Sequence, residues 1–208
     1  RLYLAVQKRQ PMDSEWTAGT HEFLSATING VHQIQGVTDA TMTHGEGWHY
    51  IELGRYLERA SATASLLDVQ FREVPPDAGG LPGVSEFVEW VGLLKSVCGF
   101  EAYCRHYTAD VRPKRIAEFL VLHAEFPRSI RFSAVRLDAA LHRISGCDRG
   151  HYSNEAERLS GRLVSDLNFA SIADIFRTGL HEYLDATQQR LIEIGNAMRR
   201  EYCGWMAE

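Results

Sequence analysis

Apolar residues recur every three or four positions along most of this chain, which is the spacing of one face of an α-helix. Long alternating runs rich in β-branched residues, which would predict strands, do not occur. Glycine and proline interrupt the helical pattern often and leave only short connections between its segments. The pattern therefore predicts an all-α protein, an antiparallel bundle of about eight helices, in a single domain over residues 1–208.

The bounds of the predicted helices follow from prolines, glycines and capping residues. Gly30 and Gly36 predict a break or bend within the second of them. Pro113 and Pro127 each occupy a predicted first helical position, where the missing amide of proline costs nothing. The predicted helices cover residues 1–10, 13–42, 43–73, 85–107, a segment from 113, 127–145, a segment from 154, and 172–202.

Three of these helix starts carry the residue types of a capping box. In such a box the first side chain accepts a hydrogen bond from an amide three residues later, and the later side chain bonds back. The three pairs are Thr43 with Glu46, Asn154 with Glu157, and Ser171 with Asp174.

Composition excludes several classes of function. The content of 45% hydrophobic and 24% charged residues is ordinary for a protein with its own core, and the net charge of -5 lacks the basic surplus of nucleic-acid binders. The chain has no run of about 18 apolar residues, as a membrane span requires. Its four cysteines lack the spacing of metal ligands or of a disulfide framework, which favours reduced thiols in a cytoplasmic protein.

The predicted helix after residue 43 is apolar on two faces. Its core stripe, at 100° per residue, comprises Tyr50, Leu53, Leu57, Ala60, Ala64, Leu67 and Phe71. The opposite face carries Trp48, Ile51, Ala62, Leu66 and Val69 around Arg55, with Glu58 and Arg59 beside it. We therefore expect both faces to be buried, and we expect Gly54 to allow the close approach of another helix backbone.

Buried charges of this kind must be paired or bound to a ligand, because an unpaired one costs several kcal/mol. Arg55 and Glu58 are three residues apart and can pair directly. Arg59 then remains for a distant carboxylate or for an anionic ligand held in a bidentate fork. An internal salt-bridge network and a ligand site both stay open. Charges on other helices could converge here, and the candidate ligand-binding residues are Arg55, Glu58, Arg59, Arg128, Glu155 and Arg158.

A metal site has little support from spacing. Glu46 and His49 form one Glu-x-x-His half of a di-metal site, but the second copy is missing from the sequence. His44 and His49 do not share a helix face well, and Glu118 and His123 have the wrong spacing. We predict no metal site and no other cofactor.

Catalytic residues cannot be assigned either. Cys98, Cys104 and Cys147 each lie near His106 or His142 in sequence, but sequence proximity is not geometry and core cysteines are usually inert. A glycine-rich phosphate loop followed by Lys-Ser or Lys-Thr is absent.

Several segments together resemble the Alpha-E family, a bacterial all-helical domain named for a Glu-Arg motif. They are GVTDATM at residues 36–42, EGW at 46–48, GRYLERA at 54–60, AEFL at 117–120, EFPRSI at 125–130, SNEAERL at 153–159 and GLHEYL at 179–184. Family members carry a further N-terminal portion with its own GRYLER-like segment. The resemblance therefore implies that an N-terminal portion is missing here.

The resemblance also implies a role in a peptide-forming or peptide-modifying system. Members of the family resemble partners of circularly permuted ATP-grasp ligases, and they occur beside transglutaminase-like proteases and carboxylate–amine ligases. Two hypotheses follow. The chain is a non-catalytic module that docks to an ATP-grasp ligase or presents substrate to it, or it is a ligand-binding or catalytic domain whose Glu/Arg cluster acts on a peptide or another anionic substrate.

Overall fold

The computed structural model describes residues 16–72, 83–108, 110–148 and 150–204, and these residues form nine α-helices and no strand. The prediction of an all-α fold is confirmed. The helix predicted over residues 1–10 lies outside the described residues. Within the described part of the chain, none of the helices combines the length and apolarity that crossing a membrane needs. The helices are α1 (Trp16–Thr41), α2 (Glu46–Phe71), α3 (Val84–Ser96), α4 (Phe100–Tyr107), α5 (Pro113–Leu122), α6 (Ile130–Ser145), α7 (Glu155–Phe169), α8 (Ile172–Thr178) and α9 (Leu180–Tyr202).

The chain divides into two compact units, residues 1–48 and residues 49–208. In the first unit, α1 runs unbroken through Gly30 and Gly36, so the break predicted there is not found. A single glycine costs a helix only about 1 kcal/mol, and a 26-residue helix can absorb that cost. Several large apolar side chains of α1 are exposed, namely Leu24, Ile28, Val31, Ile34 and Val37.

Four long helices of the second unit form a closed ring in which each helix runs antiparallel to its neighbours. The ring order is α2, α6, α7, α9 and back to α2, which is an up-down-up-down bundle. Two contacts at different levels of each helix pair establish these directions. They are Glu52–Arg136 and Tyr56–Phe132 between α2 and α6, Asp138–Ser160 and Arg131–Asn168 between α6 and α7, Asn154–Tyr202 and Asp166–Arg190 between α7 and α9, and Tyr50–Tyr202 and Asp68–His181 between α9 and α2.

The core stripe predicted for α2 is confirmed, but the second face is buried only in part, with Trp48 half-buried and the side chain of Arg55 12% exposed. Leu53, Ala60, Ala64 and Leu67 are buried, while the other three members of the stripe are half-buried. On the opposite face Ile51, Ala62 and Val69 are exposed, and Leu66 is half-buried. Single exposed apolar residues are common on soluble proteins, so their presence alone did not require a second layer.

The prediction that Gly54 admits another helix backbone is also wrong. Gly54 is exposed, and a Cβ placed on it would have no neighbour within 4 Å. Helices α2 and α9 instead approach each other closely at Gly195 of α9, where a Cβ would lie 3.2 Å from Cδ2 of Leu57. The residue that makes room therefore sits on the partner helix.

Short helices close the end of the bundle at which α2 ends and α9 begins. Phe71, the last residue of α2, packs its ring against Trp90 of α3 and Phe176 of α8, with centroids 4.9 and 6.2 Å apart. Helix α5 packs against α6 and α8. This cap covers the apolar end of the bundle.

Two predicted long helices are each divided in the structure. The helix predicted over residues 85–107 breaks where Cys98 adopts a left-handed φ of 53°. The next residue, Gly99, is buried so tightly that a Cβ would lie 2.9 Å from Cζ of Phe126. The helix predicted over residues 172–202 breaks at Gly179, whose φ is 115°. Glycine favours such a conformation because it lacks the Cβ that makes positive φ unfavourable.

Two of the three predicted caps are confirmed. The side chain of Asn154 accepts a hydrogen bond from the amide of Glu157 at 3.0 Å, and Ser171 Oγ accepts one from the amide of Asp174 at 3.1 Å. Each bond satisfies one of the backbone donors that the first turn of a helix leaves without a partner. Sequence therefore places the starts of α7 and α8 correctly.

Two other predicted helix starts are wrong by a few residues. Helix α2 begins at Glu46, so the predicted box with Thr43, in which Glu46 would lie in the third helical position, does not form. Helix α6 begins at Ile130 rather than Pro127, because Ser129 caps it with its hydroxyl. In both cases the loop before the helix is a few residues longer than the sequence pattern predicts.

Candidate functional site

A buried carboxylate on α2 joins two guanidinium groups. Glu52 is 3% exposed. Its Oε1 accepts a hydrogen bond from Nη1 of Arg55 at 2.7 Å, and its Oε2 accepts one from Nη2 of Arg136 at 3.0 Å. Bonds of this charge-assisted kind are what allow a carboxylate to be held out of water.

The predicted pairing of Arg55 with Glu58 is therefore wrong, because Arg55 pairs with Glu52 instead. Glu58 is exposed. Glu52, one turn before Arg55, is buried and faces α6. Both glutamates are three residues from Arg55, so helical spacing alone could not separate them. What selects Glu52 is Arg136, on a helix far away in sequence.

Tyr56 carries two of these cations beside its ring. The guanidinium carbon of Arg59 lies 5.5 Å from the ring centroid and that of Arg136 lies 5.6 Å from it. The ring of Tyr56 also packs against Phe132 of α6, with centroids 5.9 Å apart. Cations at this distance are attracted to the negative face of an aromatic ring. Tyr56 therefore helps to hold Arg59 against the bundle.

Arg128 is brought to the same face by its own backbone. The hydroxyl of Thr63, a buried residue one turn beyond Arg59 on α2, donates a 2.8 Å hydrogen bond to the backbone oxygen of Arg128. This bond joins positions 65 residues apart. It fixes the segment before α6 beside the part of α2 that carries Arg59.

The pKa of Arg59 lies below the ordinary value for arginine, in part because other positive charges are close to it. Burial lowers the pKa most, and the charges of Arg128 and Arg55 lower it further, against the opposite effects of Tyr56 and Glu58. Positive groups lower one another's pKa when they are close. The guanidinium groups of Arg59 and Arg128 are therefore close enough for their charges to repel each other.

We use the name arginine cluster for Arg55, Arg59, Arg128 and Arg136. Within the described part of the chain, the side chains of Arg59 and Arg128 have no carboxylate within 4 Å, and Glu52 serves the other two members. Planar guanidinium groups match carboxylate and phosphate oxygens in a bidentate geometry. The arginine cluster is thus suited chemically to hold an anion.

Comparison with known proteins identifies the family. The model of Alpha-E, described as a predicted alpha-helical domain with a conserved ER motif, matches residues 1–203. This chain belongs to the Alpha-E family. None of the curated proteins and none of the solved structures matches it.

Two Glu-Arg dipeptides occur in the described part of this Alpha-E chain. The first, Glu58-Arg59, contributes Arg59 to the arginine cluster. The second, Glu157-Arg158, lies in the first turns of α7, and its glutamate is 1% exposed. The first dipeptide therefore places its arginine at the protein's cationic face, and the second buries its glutamate.

The six candidate residues of this Alpha-E protein fall in two places. Arg55, Arg59 and Arg128 share the face between α2 and α6, as described above, and Glu58 lies next to Arg59 on α2, where it is exposed. Glu155 and Arg158 instead pair with each other on α7, where Nε of Arg158 donates to Oε2 of Glu155 at 2.6 Å. The hydrogen bond from Arg158 lowers the pKa of Glu155, and the further cations that act on it lie on α7 and α9. The expected convergence of all six is not found.

A second polar region of the Alpha-E chain lies beside the short helices. A cavity of about 510 Å³ there is lined in part by His106, Glu118, His123 and Arg131. Nδ1 of His123 lies 3.1 Å from two backbone amides that donate to it, so its proton resides on Nε2 and the ring is neutral. Burial is the main cause that lowers the pKa of His123, and the neighbouring His106 adds to it. Sequence spacing gave no signal for this grouping.

Residues that could hold a cation also come together elsewhere. Among the described residues, His142, Cys147 and Glu157 form such a group, with one possible ligand atom from each lying within 4.8 Å of the others. The Glu46 and His49 pair considered from spacing belongs to no such group in the described part of the chain. The prediction that the chain binds no metal stays a prediction.

Proposed function

We propose that this Alpha-E protein is a binding module whose arginine cluster holds a carboxylate group of a peptide or of a protein segment. One observation carries the proposal. Arg59 and Arg128 are neighbouring, partly buried guanidinium groups without a carboxylate within 4 Å in the described residues. Like charges repel at such sites, and an anion between them would offset the repulsion and the cost of their partial burial.

The chemistry of arginine supports binding over catalysis. A guanidinium group stays protonated in proteins, so it positions and neutralises anions but does not shuttle protons. A general acid or base needs a pKa near the working pH, which arginine does not have. The residues of the arginine cluster would therefore orient an anionic substrate for another protein rather than transform it.

The family resemblance suggests which protein that is. A circularly permuted ATP-grasp ligase is the proposed partner, in a cytoplasmic system of peptide synthesis or modification, and a transglutaminase-like protein is a further proposed member of that system. An acidic segment of the ligase or the carboxylate of its peptide substrate would occupy the arginine cluster. Both occupants present the same chemical group, a carboxylate on a solvent-exposed peptide segment.

Calorimetric titration with hexaglutamate tests the anion site directly. Arg59→Gln and Arg128→Gln remove one charge each and keep an unbranched polar side chain. Loss of hydrogen bonds to a charged group costs about 1.5–3 kcal/mol, which corresponds to roughly a 10- to 100-fold weaker affinity. We expect losses in that range for both variants. Arg143→Gln, on the exposed part of α6, is the matched control and should bind as the unsubstituted chain does.

Copurification with the ligase tests the proposed partner separately. We expect a complex between the two proteins and reduced ligase activity when the arginine cluster is neutralised. Absence of a complex, with ligase activity unchanged by this protein, would remove the accessory role and leave anion binding standing. Unaltered hexaglutamate binding in both arginine variants would remove the anion site itself.

A further inference from the structure

We propose that His142, Cys147 and Glu157 form a binding site for Zn²⁺ between α6 and α7. The three residues come from the last turn of α6, from the loop that follows it, and from the first turn of α7. Their possible ligand atoms lie within 4.8 Å of one another. This site is separate from the arginine cluster, and its test does not depend on the proposed function.

The separation of the three groups is close to what zinc requires. Ligand atoms around a tetrahedral zinc ion are about 3.5 Å apart, as zinc–nitrogen and zinc–sulfur distances of about 2.0–2.3 Å imply. The side chains therefore need to close by roughly 1 Å around the ion. Cys147 can supply much of this movement, because it lies in a loop just after Gly146, whose φ of 74° ends α6.

The two helical ligands are held in place by the surrounding residues. The carboxylate of Glu157 accepts hydrogen bonds from the amide of Ser153 at 2.6 Å and from Nδ2 of Asn154 at 3.3 Å. It is 1% exposed, so its position is fixed by burial as well as by these bonds. Metal-binding carboxylates are commonly supported by such outer hydrogen bonds.

The imidazole of His142 has an oxygen beside each ring nitrogen. Nδ1 lies 3.1 Å from the backbone oxygen of Cys147, and Nε2 lies 3.8 Å from Oδ1 of Asp138. When Nε2 binds the ion, Nδ1 can donate its hydrogen to the backbone oxygen of Cys147, whereas Asp138 lies beyond hydrogen-bond distance of Nε2 and contributes only its negative charge. Asp138 is itself fixed by a 2.6 Å hydrogen bond from Oγ of Ser160. A histidine that ligates a metal usually has this kind of second partner.

The mixture of donors favours zinc over the hard cations. Imidazole nitrogen and thiolate sulfur suit Zn²⁺, whereas Mg²⁺ and Ca²⁺ prefer sites made of oxygen. On coordination the thiol of Cys147 loses its proton to the buffer and binds as the thiolate. His142 and Glu157 also line a cavity of about 420 Å³, which leaves room for a water molecule as the fourth ligand.

Helical spacing could not have revealed this grouping. His142 and Cys147 are five residues apart and would not share a face of one continuous helix. The helix ends at Ser145, however, and the loop turns back so that Cys147 faces the helix end. The ligand from α7 is brought to the same place by antiparallel packing of α6 and α7.

Metal analysis and calorimetry of the untagged, full chain test the proposal. After treatment with a chelator and return to metal-free buffer, we expect one equivalent of Zn²⁺ to bind and Mg²⁺ not to bind. Cys147→Ser and His142→Asn should each weaken zinc affinity at least tenfold. Cys98→Ser, an exposed cysteine on another part of the bundle, is the matched control and should leave zinc affinity unchanged.

Replacing zinc with Co²⁺ gives a spectroscopic check on the sulfur ligand. We expect a near-ultraviolet charge-transfer band from thiolate to cobalt that disappears in Cys147→Ser and persists in Cys98→Ser. Because serine is close to cysteine in size, Cys147→Ser should fold normally, which circular dichroism verifies. Failure of the unsubstituted chain to bind zinc, or equal zinc affinity in Cys147→Ser, would overturn the proposal.

Discussion

Glu52 and Arg136 lie 84 positions apart and meet in a hydrogen bond of 3.0 Å between Nη2 of the arginine and Oε2 of the glutamate. The side chain of Glu52 is 4% exposed, whereas that of Arg136 is 46% exposed. The bond therefore ties a buried group of α2 to a cation at the edge of α6. It sets the pairing of the two helices that carry the arginine cluster.

Replacing Glu52 by glutamine should destabilise the protein markedly. The amide keeps the shape but removes the negative charge that Arg55 and Arg136 share, and the side chain of Arg55 is only 12% exposed. Breaking a buried ion pair on one side costs about 3–5 kcal/mol, and the partial exposure of Arg136 reduces this to about 2–4 kcal/mol. Urea unfolding followed by circular dichroism measures the loss.

Glu58→Gln is the control for this prediction, because Glu58 has the same spacing from Arg55 but is exposed. Substitutions at exposed sites usually change stability by no more than about 0.5 kcal/mol. Equal losses in the two variants would show that the charge of Glu52 is not the group that holds α2 to α6.

Two glycine-to-alanine substitutions should act in opposite directions. Gly54→Ala fills an exposed helical position with open space around its Cβ, so it should stabilise the fold by about 0.5–1 kcal/mol. Gly179→Ala forces a φ of 115° on a residue with a Cβ, which should cost about 1–3 kcal/mol. Thermal unfolding of both variants checks the signs. Stabilisation by Gly179→Ala would contradict the helix break assigned to Gly179.

The Thr63 hydroxyl should affect both stability and anion binding. Thr63→Val leaves the backbone oxygen of Arg128 without its donor, which should cost about 1 kcal/mol and release the segment that carries Arg128. We therefore expect weaker hexaglutamate binding in Thr63→Val. Thr63→Ser retains the hydroxyl and should bind almost normally. Loss of binding in Thr63→Ser but not in Thr63→Val would exclude the hydrogen bond as the cause.

The His181–Asp68 pair makes stability depend on pH. The hydrogen bond to Asp68 and its negative charge raise the pKa of His181 above that of the unfolded chain. The pair's contribution is therefore fully present below the unfolded histidine pKa of about 6.5 and is lost as pH rises through the folded pKa. The unsubstituted chain should be more stable than His181→Gln at a pH of about 5.5, and the difference should vanish well above the folded pKa.

A proton NMR titration of His181 gives the independent check. In the unsubstituted chain its pKa should exceed about 6.5, and in Asp68→Asn it should fall back toward that value. An unchanged pKa in Asp68→Asn would mean that the carboxylate does not cause the shift.

Local features of this fold could be predicted from sequence, because short windows contain their causes. The caps at Asn154 and Ser171 depend on residues three positions away, and both were placed correctly. The core stripe of α2 follows from periodicity alone, and four of its seven members are buried. The helix predicted over residues 172–202 overlooked one such local signal, since glycine, here Gly179, commonly follows the last residue of a helix.

Features set by distant residues could not be predicted in the same way. Glu52 and Glu58 are equivalent in spacing from Arg55, and the choice between them depends on Arg136, on another helix. The break at Cys98 places a non-glycine residue at positive φ, for which composition gives no warning. The neighbourhood of Arg59 likewise depends on a segment that packs against α2 only in the folded chain.

The most direct test of the central claim is an NMR spectrum of the arginine Nε–Hε groups during addition of hexaglutamate. If the arginine cluster holds a carboxylate, the signals of Arg59 and Arg128 should shift together and saturate at the same concentration. The signal of Arg177, an exposed arginine paired with Asp174 on α8, should stay in place. Equal, non-saturating shifts of all arginines, or no shift at Arg59 and Arg128, would contradict the account.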